Sequence, residues 1–144
     1  MLSPDLRERL KHLSPVFREF PEISCVYLFG SAVEDRLTPQ SDLDFAVLTR
    51  NDTSISDIAM LSYAIEKALG FLRPVEVITL NHQKLLFQFS IIQRGTIIYE
   101  ADRTARTRFE VAVMREFHNL EPHLRFFERF RIAGLLRRLH RDTA

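Results

Sequence analysis

The run Val26-Tyr27-Leu28-Phe29-Gly30-Ser31 is followed, after ten residues, by Asp42-Leu43-Asp44-Phe45-Ala46-Val47-Leu48, and this stretch decides how the chain is read. The first segment is rich in β-branched and aromatic residues and stops at Gly-Ser, so it reads as a strand ending in a turn. The second is another apolar strand, opened by two aspartates. Strand side chains alternate between faces, so Asp42 and Asp44 project to one side and Leu43 to the other. Two carboxylates held that close repel each other, and a divalent cation would neutralise them. Mg²⁺ suits such a pair, because it binds one or two carboxylates together with water and substrate phosphates. Gly30 permits close backbone approach, and Ser31 adds a hydroxyl. A short helix over 31–36 would aim free N–H groups at a phosphate.

Glu76 is the third element. It lies in the apolar run Pro74-Val75-Glu76-Val77-Ile78-Thr79-Leu80, read as a third strand. A carboxylate in a mostly buried strand is costly unless paired. If this strand lies beside the Asp42–Asp44 strand, Glu76 joins the same cluster. Three carboxylates around two Mg²⁺ ions suit in-line phosphoryl chemistry. Each feature alone has a plainer reading. Asp-x-Asp occurs at ordinary strand ends, Gly-Ser in ordinary turns, and a single Glu on a strand edge facing water. The order and strand context of all three give the pattern its content.

The remaining elements follow from periodicity. Pro4 opens a helix behind a Ser3 cap, and Leu6, Leu10, Leu13, Phe17 and Phe20 form one apolar face, with Pro15 predicting a kink or break near Ser14 and Pro21 an end. A helix over 55–69 has Ile58, Leu61, Ile65 and Leu69 inward, is capped from the loop at 51–54 and ends at Gly70. Residues 82–94 read as a helix burying Leu85, Leu86, Phe89 and Ile92, with Gly95 as its stop. Thr96-Ile97-Ile98-Tyr99 is a short fourth strand. Two helices follow, over 103–118 and 122–140, broken near Glu121-Pro122. The fold class is therefore α/β (α+β): a small mixed sheet with flanking helices and a helical C-terminal tail.

Composition narrows the function. A chain of 144 residues is one domain's worth, able to bury roughly 68–70% of its unfolded surface. Its 20 basic and 19 acidic residues do not describe a direct nucleic-acid binder. One cysteine, Cys25, excludes a disulfide framework and a cysteine zinc site, and reads as a small buried hydrophobe. His118 and His123 are badly spaced for metal ligands on one helix face. There is no signal-peptide core and no run near the ~18 apolar residues of a membrane span, so a cytoplasmic location without membrane contact is expected. Charge is uneven: residues 1–100 hold 10 basic and 13 acidic groups, and residues 101–144 hold 10 arginines and 6 acids. Phe126, Phe127 and Phe130 cannot share one narrow helix stripe, and with Arg125, Arg129 and Arg131 they suggest a docking surface.

Leu28-Phe29-Gly30-Ser31, ten residues, then Asp42-Leu43-Asp44 resembles the signature of the polymerase-β-type nucleotidyltransferase superfamily, and at this chain length the minimal nucleotidyltransferase (MNT) family. The tail, with Phe109, Glu110, Met114-Arg115-Glu116-Phe117 and Phe126-Phe127-Glu128-Arg129-Phe130, resembles that of MNT antitoxins, which partner HEPN (higher eukaryotes and prokaryotes nucleotide-binding) toxins. The resemblance implies one nucleotidyltransferase domain over 1–144, with a catalytic core at 1–100 and partner-docking helices at 101–144. It implies that Gly30 and Ser31 bind the nucleotide, and that Asp42, Asp44 and Glu76 are catalytic and metal-binding residues for two Mg²⁺ ions. Arg36 and Arg50 are further candidates for triphosphate contact. The implied function is an antitoxin that transfers AMP from ATP to a tyrosine of a HEPN ribonuclease toxin, within a hetero-oligomer containing that toxin. Two departures stand out. The third acid is commonly Asp and here is Glu76, and the Arg and Gly that many relatives carry after Gly-Ser are replaced by Ala32-Val33-Glu34-Asp35-Arg36. Two other readings share the motif: a binding-only antitoxin that blocks the toxin sterically, and a nucleotidyltransferase for a small hydroxyl substrate such as an aminoglycoside.

Overall fold

The computed structural model describes the backbone of residues 4–33, 37, 38, 40–51 and 54–142, and their side chains apart from residues 55, 127 and those from 129 onward. The order is α1 (Pro4–Lys11), α2 (Ser14–Arg18), β1 (Ile23–Phe29), β2 (Leu43–Thr49), α3 (Ile55–Ala68), β3 (Val75–Thr79), α4 (Leu85–Arg94), β4 (Thr96–Glu100) and α5 (Arg103–Asp142). The four strands form one sheet in the order β3-β2-β1-β4. β1 is antiparallel to both β2 and β4, whereas β2 and β3 are parallel, so the sheet is mixed as expected. The central position of β1 explains its nearly unbroken apolar sequence, since both of its faces are covered. The parallel pair needs a crossover, and α3 supplies it.

The sheet divides the core into two layers. On one face Val26, Leu28, Leu43, Phe45 and Val47 meet Leu6, Leu10, Leu13 and Phe17 of the N-terminal segment and Leu61, Ile65 and Leu69 of the α3 segment. On the other, Cys25, Tyr27, Ala46 and Leu48 meet Leu80, Ile91 and Phe109. The α3 segment carries both of its expected punctuation marks. The Ser54 hydroxyl accepts a bond from the Asp57 N–H at 3.2 Å. At the other end Gly70 adopts φ +71°, and the Gly70 and Phe71 N–H groups close on the carbonyls of Lys67 and Glu66 at 3.0 and 2.8 Å. That double closure is the Schellman arrangement.

The N-terminal apolar face is split into α1 and α2, the break that Pro15 predicts, and Pro15 sits in the first turn of α2, where a missing N–H costs nothing. Three expectations need correction. α2 then ends at Arg18, before Pro21. In α4 the inward face is rotated: Ile91 is buried at 2% exposure while Leu86 is 49% exposed. The two C-terminal helices are one 40-residue helix running through Pro122, about 60 Å long at 1.5 Å per residue. Proline removes the N–H that would bond the His118 carbonyl. Both residues are exposed, so water can take that carbonyl and the helix persists. The first half of α5 packs on the sheet and on α4, with Val113 buried and Phe117 stacked on Phe89 at 3.6 Å. The expected Ser3 cap lies outside the described residues.

Candidate active site

At one end of the sheet, a row of side chains crosses three strands on one face. Phe29 is opposite Asp44 across the antiparallel pair, and Asp44 is opposite Glu76 across the parallel one. Directly paired residues share a face and lie ~5 Å apart. Parallel pairing of β2 with β3 thus brings Glu76 beside Asp44, the condition on which its membership of the cluster rested. One part of that reading changes. β3 is an edge strand and Glu76 is exposed, so its charge is hydrated and not buried. Asp42 is exposed just before the first residue of β2, and Asp44 is half-buried.

Gly30 follows Phe29 with φ +77°, and a Cβ there would collide with the Asp44 carboxylate. Two demands, a left-handed backbone and an empty side-chain position, therefore coincide at this residue. Gly30, Ser31 and Ala32 form a single 3-10 turn, closed by the Val33 N–H on the Gly30 carbonyl at 3.2 Å and anchored by buried Ala32. Of the helix expected over 31–36, the described residues show that turn, and 34–36, with Arg36, lie outside the described residues. Ser31 is half-buried at the same sheet end.

Electrostatics single out Asp44. Burial raises its carboxyl from 3.8 to about 6, assisted by the Glu76 charge, a side-chain hydrogen bond with Glu76 and, least, the Asp42 charge. The Asp44–Glu76 contact is a carboxylate pair that is best relieved by a shared proton or a cation. Among the described residues no three Asp, Glu, His or Cys side chains stand together as a ready ligand group. The expected triad is thus a contacting pair, with Asp42 acting on it through its charge. A pair fits Mg²⁺, which completes its shell with water and phosphate oxygens.

A family model described as "Polymerase beta, Nucleotidyltransferase" matches residues 11–104. The chain belongs to this family. No curated protein sequence matches it. In fold, this nucleotidyltransferase is similar to a chain in the crystal structure of a toxin–antitoxin with AMP-PNP, at TM-score 0.69 and 18% identity over 86% of this chain and 98% of that one. It is similar also to a chain of the complex of a tri-AMPylated Shewanella oneidensis HEPN toxin with an MNT antitoxin, at TM-score 0.66 and 16% identity over 88% and 98% of the two chains. A third likeness, to a chain of the toxin–antitoxin MntA-HepT, has TM-score 0.65 and 16% identity over 88% and 98%.

Other expected residues of the nucleotidyltransferase fall away from the site. Arg50 follows the far end of β2, six residues from Asp44 and hence ~20 Å along the strand, and it approaches Asp102 at 3.9 Å. Triphosphate contact by Arg50 is therefore excluded by the direction of β2. Cys25 is fully buried, and burial pushes its thiol up to about 12, which makes it an inert core residue. Among the described residues no helix is long and apolar enough to cross a membrane. Phe126 is 58% exposed, and the side chains of Phe127, Arg129, Phe130 and Arg131 lie outside the described set.

The sequence reading missed two positioning groups. Arg73 donates to the carbonyls of Thr38 and Ser41 at 2.5 and 3.3 Å, clamping the loop that delivers Asp42. Within that loop the Ser41 hydroxyl accepts from the Thr38 N–H at 2.9 Å. Nothing in sequence distinguishes an arginine that binds carbonyls from one in solvent. The second group is a clasp between α5 and the sheet. Buried Tyr27 donates to Glu110 at 2.6 Å, and Arg106 bonds both Glu110, at 3.0 Å, and Glu100. Burial and the bond to Glu110 push the Tyr27 hydroxyl far up, and Glu100 and Glu110 strengthen the hold of Arg106 on its charge.

Proposed function

We propose that this nucleotidyltransferase is an antitoxin that transfers AMP from ATP, with Mg²⁺, to a tyrosine of a HEPN toxin within a hetero-oligomer. The observation that carries the chemistry is the pairing of Asp44 with Glu76 at one sheet end, with Gly30 against the Asp44 carboxylate. The likeness in fold to chains of HEPN–MNT complexes, over nearly the whole chain, supports the partner. Asp44 and Glu76, with Asp42 beside them, would hold the metal. When bound, Mg²⁺ supplies charge neutralisation at phosphorus and lowers the pKa of the attacking hydroxyl.

The chain's own residues supply the rest. Gly30 keeps the end of β1 clear of the Asp44 carboxylate, and the Ser31 hydroxyl would bond phosphate oxygen. The acceptor tyrosine oxygen forms a bond to the α-phosphorus, the bond to the pyrophosphate oxygen breaks, and pyrophosphate leaves. Glu76 stands on an exposed sheet edge, open to a hydroxyl carried by another protein, and takes its proton. The longer Glu side chain reaches from the edge strand to the Asp44 carboxylate that it already contacts.

The test is the intact mass of the HEPN partner after incubation with this protein, ATP and Mg²⁺, beside an Asp42→Asn/Asp44→Asn variant. The expected result is a gain of one or more AMP masses on a tyrosine, absent with the variant. A stable complex with no mass gain overturns the transfer and leaves steric blocking as the function.

A further inference from the structure

We infer that the ring of Phe87, set against Phe29, is the wall on which the base of the nucleotide substrate stacks. This rests on the nucleotide reading of the site and names the part of the ligand that reading leaves unassigned. Phe29 is the strand partner of Asp44 and the residue before Gly30. The Phe87 ring meets it edge to face, with centroids 5.7 Å apart and planes at 87°. A perpendicular pair cannot cover both faces of both rings. Phe87 is 39% exposed, and its neighbour Leu86 is 49% exposed. An apolar surface therefore begins one strand spacing from the carboxylate that would hold the metal.

The surroundings leave the base little choice of direction. The opposite face of the sheet at this end is filled by Leu28, Leu43 and Ala32, all buried. The β3 side is occupied by the charge of Glu76. With phosphates at Gly30–Ser31 and metal at Asp44, the open apolar side is the one bounded by Phe29 and Phe87. Stacking on a phenylalanine accepts any base and rewards ring area, so the site binds purines more tightly than pyrimidines without reading their edges.

The experiment is calorimetric titration of the full-length protein, in Mg²⁺, with ATP, UTP and inorganic tripolyphosphate, comparing Phe87→Ala and Phe87→Trp with the unsubstituted chain. ATP affinity is expected to fall about tenfold in Phe87→Ala and to be retained in Phe87→Trp, a loss typical of one base–aromatic contact. UTP should lose less, and tripolyphosphate should bind all three proteins equally. Equal losses for ATP and tripolyphosphate in Phe87→Ala would mean that Phe87 merely shapes the fold, and unchanged ATP affinity would mean that the base lies elsewhere; either overturns the assignment. If the unsubstituted protein binds tripolyphosphate but discriminates no nucleotide from it, the base wall alone is wrong. If it binds neither, the nucleotide reading of the whole site fails with it.

Discussion

Two groups of carboxylates lie on the same side of the sheet, two residues apart along β1, and the molecule treats them oppositely. Beside Tyr27, Glu100 and Glu110 share Arg106, whose side chain is only 15% exposed. Beside Phe29, Asp44 and Glu76 share no cation among the described residues, and burial with mutual repulsion lifts Asp44 to about 6. The first group is neutralised within the chain and holds α5 onto the sheet. The second stores an electrostatic cost that a ligand can relieve. A cluster that holds the fold carries its own counter-charge, whereas the proposed metal site leaves the counter-charge to be bound.

The largest expected effect tests the second group. Asp44→Asn should cut AMP transfer about a thousandfold or more, since several kcal/mol of metal-borne stabilisation are lost. Its melting temperature at pH 7.5 should stay level or rise, because the substitution removes repulsion; a variant that loses activity only by unfolding would erase the contrast. Arg106→Met tests the first group in the opposite sense. It leaves Glu100 and Glu110 facing each other near Tyr27 and should cost about 3 kcal/mol in urea unfolding. Adding Glu110→Gln should restore part of that loss. If Arg106→Met is as stable as the parent, the clasp does not hold the helix.

Glycine substitutions sharpen the contrast at smaller scale. Gly30 and Gly70 both have positive φ, but a Cβ at Gly70 meets only the Arg9 guanidinium at 3.7 Å, while one at Gly30 meets the Asp44 carboxylate. Gly70→Ala should cost about 1 kcal/mol, the backbone penalty alone. Gly30→Ala should cost about 2 kcal/mol and, on the proposed function, also lower transfer activity, because it displaces the Asp44 carboxylate. Equal stability losses with full activity in both would show that Asp44 can move aside freely.

The smallest effect is on pH dependence. Asp44 has a folded pKa above its ordinary 3.8, so between pH 4 and 6 the folded state binds more protons than the unfolded one. Its contribution to stability is present below about pH 4 and is lost as pH rises through about 6. The metal-free protein should therefore lose a few degrees of melting temperature from pH 4 to pH 7 through this group. Asp44→Asn should flatten that part of the profile, and Mg²⁺ should restore the loss at pH 7. A profile identical in parent and variant would remove Asp44 as its source.

Much of this was legible in the residues. The strands around 26–29, 42–48, 74–80 and 96–99 could be read because apolar runs and Gly or Pro punctuation are local signals. So could the ends of α3, where Ser54 and Gly70 act on their own backbone. Gly30, Asp42 and Asp44 were readable as a motif because they come from consecutive strands. The errors arose where local rules met tertiary choices. Pro122 predicted a break, but an exposed helix can hand its lost bond to water. Leu86 was assigned to the core of α4, but its direction depends on how that helix crosses the sheet. Arg50 looked like a phosphate ligand, but β2 carries it away from the site.

What the amino-acid sequence determined alone is the set of parts: strands, caps, an Asp-x-Asp opened by a Gly-Ser turn, and a basic tail. These depend on interactions between residues close in the chain. Only the tertiary structure decided that β3 lies parallel to β2 with Glu76 opposite Asp44, that Arg106 reaches Glu100 and Glu110 while no described cation pairs with Asp44 and Glu76, and that Phe87 closes on Phe29. Each of these joins residues brought together by strand order and helix crossing. Whether a carboxylate is paired or waiting depends on which distant cation the fold places beside it.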